Sequence, residues 1–205
     1  METWGSTARV RPAVIDSPVL ERFSRAVLGG LAEGKAVEID GLGTFYPHPV
    51  AGFRFAPLTR PVIFIAYGTE DRDAAAALYL IFEHAGFSPW MDSKKLLPGQ
   101  NWARALEAAI ETSDFCVSCF SSRSVDRRGG FQAEIRYALD CARRVPLEEI
   151  FLVPVRLDAC RVPRSIQREW QYVDLFPDWA SGVARLLSAI RAEWELRRDR
   201  RFMAR

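Results

Sequence analysis

The stretch that decides the fold is residues 61–121, PVIFIAYGTEDRDAAAALYLIFEHAGFSPWMDSKKLLPGQNWARALEAAIETSDFCVSCFS. Val62–Tyr67 is a short apolar run that breaks at Gly68, the pattern of a strand buried on both faces. Leu78, Ile81, Phe82 and Ala85 recur at helical spacing and stop at Gly86, where a helix end favours glycine. Phe87–Met91 reads as a second strand, followed by a polar loop over Asp92–Gly99. Trp102, Leu106, Ala109 and Ile110 mark the next helical face, which places Trp102 in the core, and Phe115–Phe120 is the third strand. Strands alternating with helices predict a parallel sheet with crossovers. Ligands of such sheets bind outside the carboxyl ends of the strands. The turns at Gly68–Asp71, Asp92–Gly99 and Ser121–Gly130 fall there.

Working downstream, Phe131, Ile135, Ala138 and Ala142 predict a helix beginning after Gly129-Gly130. Glu149–Pro154 is read as the fourth strand, Val155–Glu169 as a long polar connection and Gln171–Val173 as a short fifth strand. Trp179, Val183, Leu186, Leu187, Ile190 and Trp194 give a terminal helix. The arginines beyond it (Arg197, Arg198, Arg200, Arg201 and Arg205) read as a solvated tail. Upstream, Met1–Asp16 shows no periodicity and reads as a loose leader. Leu20, Phe23, Val27 and Leu31 line one face of a helix from Pro18 to about Gly34. Ala36–Ile39, Gly43–Tyr46 and the Phe53–Phe55 segment read as three short strands, with Asp40-Gly41 as the first turn. The division expected is a small α+β domain over residues 1–58 and an α/β domain over 59–205.

Composition excludes several classes. The formal net charge of +2 points to neither nucleic acid nor membrane as a bulk partner. No apolar run reaches the roughly 20 residues of a spanning helix, and the N-terminus lacks a secretory h-region, so a cytoplasmic location is expected. Cys116 and Cys119 form a CxxC. Residues three apart on a strand point to opposite faces, however, so the pair cannot share one ion. They are read as reduced core thiols, and no metal is expected. There is no Walker loop and no GxGxxG. A phosphoacceptor aspartate is also missing from the end of the third strand, where Phe120-Ser121 stands.

Glu134 is the leading candidate for chemistry. It shares the helix side of Phe131 and Ala138, so its carboxylate borders an apolar stripe near the sheet's carboxyl edge. Read from position alone, it is equally a helix-start glutamate favoured by the macrodipole.

The segments FIAYGTED, GFSPWMDSKKLLPGQNW, LEAAIETSDFCVSCFSSRS and GGFQAEIRYAL, followed by IFLVPVRLDACRVP and WQYVDLF, resemble the successive motifs of bacterial TIR (Toll/interleukin-1 receptor) domains. The resemblance implies a flavodoxin-like parallel five-stranded sheet with helices on both faces. For the NAD-cleaving type it also implies a catalytic glutamate, here Glu134 in AEIRYAL. Substrate contacts would come from Tyr67, Gly68 and Thr69 after the first strand, from Trp90 stacking on nicotinamide, and from Asp92 and Phe131. Two departures stand out. Ala66 replaces a common serine, and Gly130 stands four residues before the glutamate, where many TIR enzymes carry tryptophan.

The function expected from the resemblance is that of an NAD+ nucleosidase that cleaves the nicotinamide–ribose bond, in bacterial antiviral defence or stress signalling. NAD+ would be its substrate, with no further cofactor, and the product ADP-ribose or a cyclic isomer. The cationic nicotinamide leaves neutral without protonation, so one carboxylate suffices, whereas ordinary glycosides need two. The alternatives are a non-catalytic TIR adaptor assembling through the Asp92–Gly99 loop and a nucleoside deoxyribosyltransferase-like enzyme. FSRAVLGGLAEGKAVEIDGLGTFYP, residues 23–47, resembles the middle of HU/IHF histone-like proteins. Residues 1–58 balance six basic side chains against six acidic ones, without the cation surplus that DNA binding needs, so docking or dimerisation is expected of them instead. Together with TIR–TIR contacts, that implies a homo-oligomer.

Overall fold

In a computed structural model, residues 18–39, 42–95, 99 and 101–203 are described, so the leader and the Asp40-Gly41 turn lie outside the described residues. The chain divides into Met1–Thr59 and Arg60–Arg205.

In the first unit, helix α1 (Pro18–Ala32) is followed by an antiparallel sheet of β1 (Val37–Ile39), β2 (Gly43–His48) and β3 (Gly52–Pro57) in that spatial order. Among its described helical residues Val27 and Leu31 are buried. Phe45 packs on both Phe53 and Phe55, with ring centroids 5.3 and 4.6 Å away. Gly43 is required: its φ is +142°, and a Cβ there would stand 2.2 Å from the Ala56 carbonyl oxygen.

The second unit opens with β4 (Val62–Tyr67), then a 3-10 turn over Thr69–Asp71 and α2 (Arg72–His84). β5 (Ser88–Trp90), the four-residue α3 (Asp92–Lys95), α4 (Trp102–Thr112) and β6 (Phe115–Phe120) come next. Then come α5 (Gly130–Ala142), β7 (Leu152–Arg156), α6 (Arg164–Gln167), β8 (Val173–Asp174) and α7 (Trp179–Met203). All five strands are parallel, in the order β5-β4-β6-β7-β8. One face of the sheet packs Leu78 and Phe82 of α2 with Val183, Leu186 and Ile190 of α7. The other packs Leu106 and Ile110 of α4 with Phe131, Ile135 and Ala138 of α5. The fold is the α/β class expected, with helices on both faces. Cys119 belongs to the first core and Cys116 to the second, as strand alternation requires.

Four expectations need correction. The start of the Asp92–Gly99 segment is the short helix α3 rather than a loop, while residues 96–98 lie outside the described residues. The fourth strand starts at Leu152 and runs through Pro154 to Arg156. Proline is tolerated because Pro154 pairs only with Ser118 of β6, and β8 joins the ladder one residue later, at Val155. The 155–169 connection contains α6.

The terminal helix also continues through Arg197, Arg198, Arg200 and Arg201, and Arg197 is buried, only 3% exposed. Its Nε donates to Glu193 at 2.8 Å, its Nη1 donates to the Asp114 carbonyl at 3.0 Å, and its Nη2 donates to the Ile150 carbonyl at 2.5 Å. Its guanidinium stacks on Phe115. The apolar face of the helix thus ends on a cation whose partners come from the amino-terminal edge of the sheet, a contact invisible to periodicity.

Candidate functional site

The site begins with the sheet order. β4 leads to β5 on one side, and the chain then returns to place β6 on the other, so a switch point lies between β4 and β6. The turns leaving their carboxyl ends are locked together. Asp71, fully buried, accepts from Ser121 Oγ at 2.7 Å and from Arg123 at 2.9 Å. Glu70 pairs with Arg127. Gly68 lies so close to the second turn that a Cβ would meet the Ser124 Cβ at 2.4 Å. On the far side, Ser122 donates its amide (2.8 and 3.1 Å) and hydroxyl (2.7 Å) to Asp158, beyond β7. This lattice holds the loop that delivers α5.

Glu134 emerges from the second turn of α5. Burial, and secondarily the negative charge of Asp92, raise its carboxyl from the ordinary 4.5 to about 7. Asp92 comes from the opening of α3 and accepts from the Tyr67 hydroxyl at 2.5 Å. Residues from the ends of β4 and β5 and from the start of α5 thus converge. A partly buried carboxyl raised by burial and by a neighbouring negative charge is a candidate functional group.

Trp102 completes the cleft, in contrast to the core position expected of it. It is 49% exposed at the first turn of α4. The helix is capped by Asn101, whose side chain accepts from the Arg104 amide at 3.1 Å. The tip of the Trp102 ring, Cη2, lies 3.0 Å from where a Cβ on Gly130 would stand, and Glu134 Oε1 lies 3.9 Å from the same point. Gly130 is therefore a notch, and an indole from a neighbouring helix fills the space that a side chain one turn before Glu134 would take. The clue in the sequence is the pair itself: a glycine where a large residue is common, and a tryptophan at a helix's first turn.

The remaining candidates divide. Tyr67 and Asp92 reach the cleft as a bonded pair. Thr69 is exposed in the turn after β4, and Gly68 is buried under Ser124. Trp90 lies on the Glu134 side of the sheet, with one face stacked on Phe64 at 4.9 Å and 15°. Phe131 is not brought to the cleft; it is buried edge-on to Phe120 at 5.6 Å. Among the described residues no group of histidine, cysteine, aspartate or glutamate could hold a metal. No helix there is long and apolar enough to cross a membrane.

Strand order and cleft together define a doubly wound α/β domain with its polar site at the switch point. The TIR domain family model matches residues 63–187. The chain belongs to the TIR domain family. It is 23% identical over 180 residues to the uncharacterized protein y4cD of Sinorhizobium fredii, covering 86% of this chain and 28% of that protein. Among solved structures, a metazoan TIR-STING receptor from C. gigas in complex with 2',3'-cGAMP is similar at a TM-score of 0.53 and 22% identity, covering 65% of this chain and 41% of that one. The TIR domain of the Toll-related receptor TRR-2 from Hydra magnipapillata matches at 0.49 and 20%, covering 62% of this chain and 97% of that one. The chain thus spans about a quarter of its rhizobial relative and under half of the C. gigas receptor.

Proposed function

We propose that this TIR domain cleaves the nicotinamide–ribose bond of NAD+, with Glu134 as the catalytic carboxylate. The observation that carries the reading is the meeting of Trp102 and Glu134 at the Gly130 notch, with the charge of Asp92 acting on the same carboxyl. As the C1′–N bond breaks, its electron pair stays with the pyridine nitrogen, so nicotinamide departs neutral and positive charge develops on the ribose. Ionised Glu134 stabilises that charge in a partly desolvated setting. Binding the cationic pyridinium beside Glu134 favours its ionisation, against the upward pressure of burial. The half-exposed indole of Trp102 offers a flat surface to a flat cation. Water attacking C1′ gives ADP-ribose and a proton; an adenine nitrogen attacking instead gives a cyclic isomer.

Assembly belongs to the same proposal. The first unit exposes Phe23, Leu28, Leu42, Phe53 and Phe55, more apolar surface than a domain of fewer than 60 residues can easily leave in water. A second copy covering this surface would bring TIR domains together as a homo-oligomer, and catalysis would depend on concentration. In a bacterial cell such an enzyme would deplete NAD+ in antiviral defence or stress signalling. The test is to incubate concentrated protein with NAD+ and follow nicotinamide release by chromatography. Release by the wild type and its loss in Glu134→Gln are expected. No release at any concentration, with the protein folded, overturns the reading.

A further inference from the structure

Helix α5 has a second flank. Gln132 and Arg136 lie one turn apart on it, about half a turn around the axis from Glu134. With the loop after β6 and the segment entering α6, they line a cleft of about 660 Å³, within the range of small-molecule pockets. Five arginines line it, Arg127, Arg128, Arg136, Arg161 and Arg164, against one acidic residue, Asp126. All five arginines are exposed. Arg127 shares its charge with Glu70. A chain of net charge +2 does not gather five cations around one hollow through average composition.

The cleft is also held in shape. Val125 and Val162 in its lining are buried. The Gln132 side-chain amide is fixed by donating to the Val125 carbonyl at 2.9 Å. The two arginine-bearing segments are tied to one another through the Ser122–Asp158 hydrogen bonds, since Ser122 opens one and Asp158 precedes the other. Gly129, the residue before α5, lies in the lining as well. That sets the positive end of a 13-residue helix toward the same space.

We propose that this cleft binds a small polyphosphorylated ligand, at a site separate from Glu134; tighter binding of ATP than of inorganic triphosphate would assign a nucleoside-bearing ligand, and equal binding a bare phosphate chain. Guanidinium forks match phosphate oxygens two at a time, and several converging forks reward each added phosphoryl group. A concave site of this volume fits one such molecule, whereas a nucleic acid would call for an extended basic stripe. The assignment does not depend on NAD+ cleavage and can hold or fail by itself.

The experiment is calorimetric titration of the full chain, in its Glu134→Gln form so that nothing is turned over, with AMP, ADP, ATP and inorganic triphosphate. Affinity is expected to rise with phosphate number to Kd values on the order of 10 μM, and to weaken severalfold when salt is raised from about 50 to 200 mM. The double variant Arg128→Glu/Arg164→Glu should lose at least about tenfold in affinity, roughly 1.4 kcal/mol. Both side chains are exposed, so its melting temperature should be unchanged. The proposal is overturned if ATP binds no more tightly than AMP, or if the double variant binds undiminished. Displacement of ATP by NAD+ would also overturn it, by making the cleft part of the substrate site. So would a nucleic-acid duplex that binds more tightly than ATP.

Discussion

The indole of Trp102 and the missing side chain of Gly130 are complementary: the ring tip lies 3.0 Å from the position a Cβ on Gly130 would take, beside Glu134. Trp102 is half exposed, so Trp102→Ala should leave the melting temperature within a degree or two. It should lower kcat/KM for NAD+ about tenfold, the worth of a cation–π contact of ~1–2 kcal/mol. Gly130→Ala tests the same fit from the other side. Gly130 opens α5, outside the helix interior where alanine is favoured, so stability should change little while turnover slows as the ring is pushed aside. An active Trp102→Ala enzyme would remove the indole from the site.

Glu134→Gln keeps the shape and removes the charge. NAD+ cleavage should fall by at least about a hundredfold, as when one electrostatic stabiliser is lost. Stability should move the opposite way. Burial and Asp92 hold the folded carboxyl at about 7 against an ordinary 4.5, so the wild type loses stability as pH rises between those values and carries the cost of ionisation above them. At pH 8 the glutamine variant should therefore melt higher, by an amount on the order of 2 kcal/mol. Equal melting of the two proteins at pH 5 and at pH 8 would contradict the raised value.

The same pKa predicts a rate profile. If the ionised form of Glu134 is active, kcat/KM should climb with pH and level off above about 7. Asp92→Asn removes the neighbouring negative charge and should move that rise to lower pH. A profile flat from pH 5 to 8 would exclude Glu134 as the group whose ionisation matters.

Arg197 offers a test of the fold. Arg197→Met removes a buried cation while leaving Glu193, Glu149 and two carbonyls behind. Breaking such a pair costs about 3–5 kcal/mol. The variant should show a markedly lower denaturation midpoint, and Arg200→Met, at a mostly exposed pair with Glu148, should not.

Legibility in the sequence depends on where information sits in a chain. β4 and β6 are legible to the residue, because a strand buried on both faces is a continuous apolar run with polar ends. The place of Glu134 is legible from its spacing to Phe131 and Ala138, but its candidacy for chemistry comes from the TIR motif AEIRYAL and not from that position. Trp102 and Arg197 escape for one reason. Helical periodicity reports which residues share a side of their own helix, and nothing about a notch or a carbonyl on another element. The Tyr67–Asp92 bond, across 25 positions, and the cleft of arginines drawn from three segments are likewise products of chain return. β7 lies further along than expected because proline ends a strand only where the neighbour on its amide side needs that amide, and the amide side of Pro154 faces β8, which joins the ladder only at Val155.

All four cysteines of the chain are buried, and burial raises the Cys116 thiol to about 12. Thiolate, the form that alkylates, is scarce at such positions. Cys116 and Cys119, inside the central strand, should accordingly be silent toward maleimides, whereas Cys141 and Cys160 line surface clefts and would be replaced before a single cysteine at exposed Thr69 or Lys94 takes the fluorophore. The protein thus lends itself to site-specific labelling: fluorescence from one dye near Glu134 could track ligand entry, and transfer between dyes on separate copies could time their association, with only two native thiols to remove first.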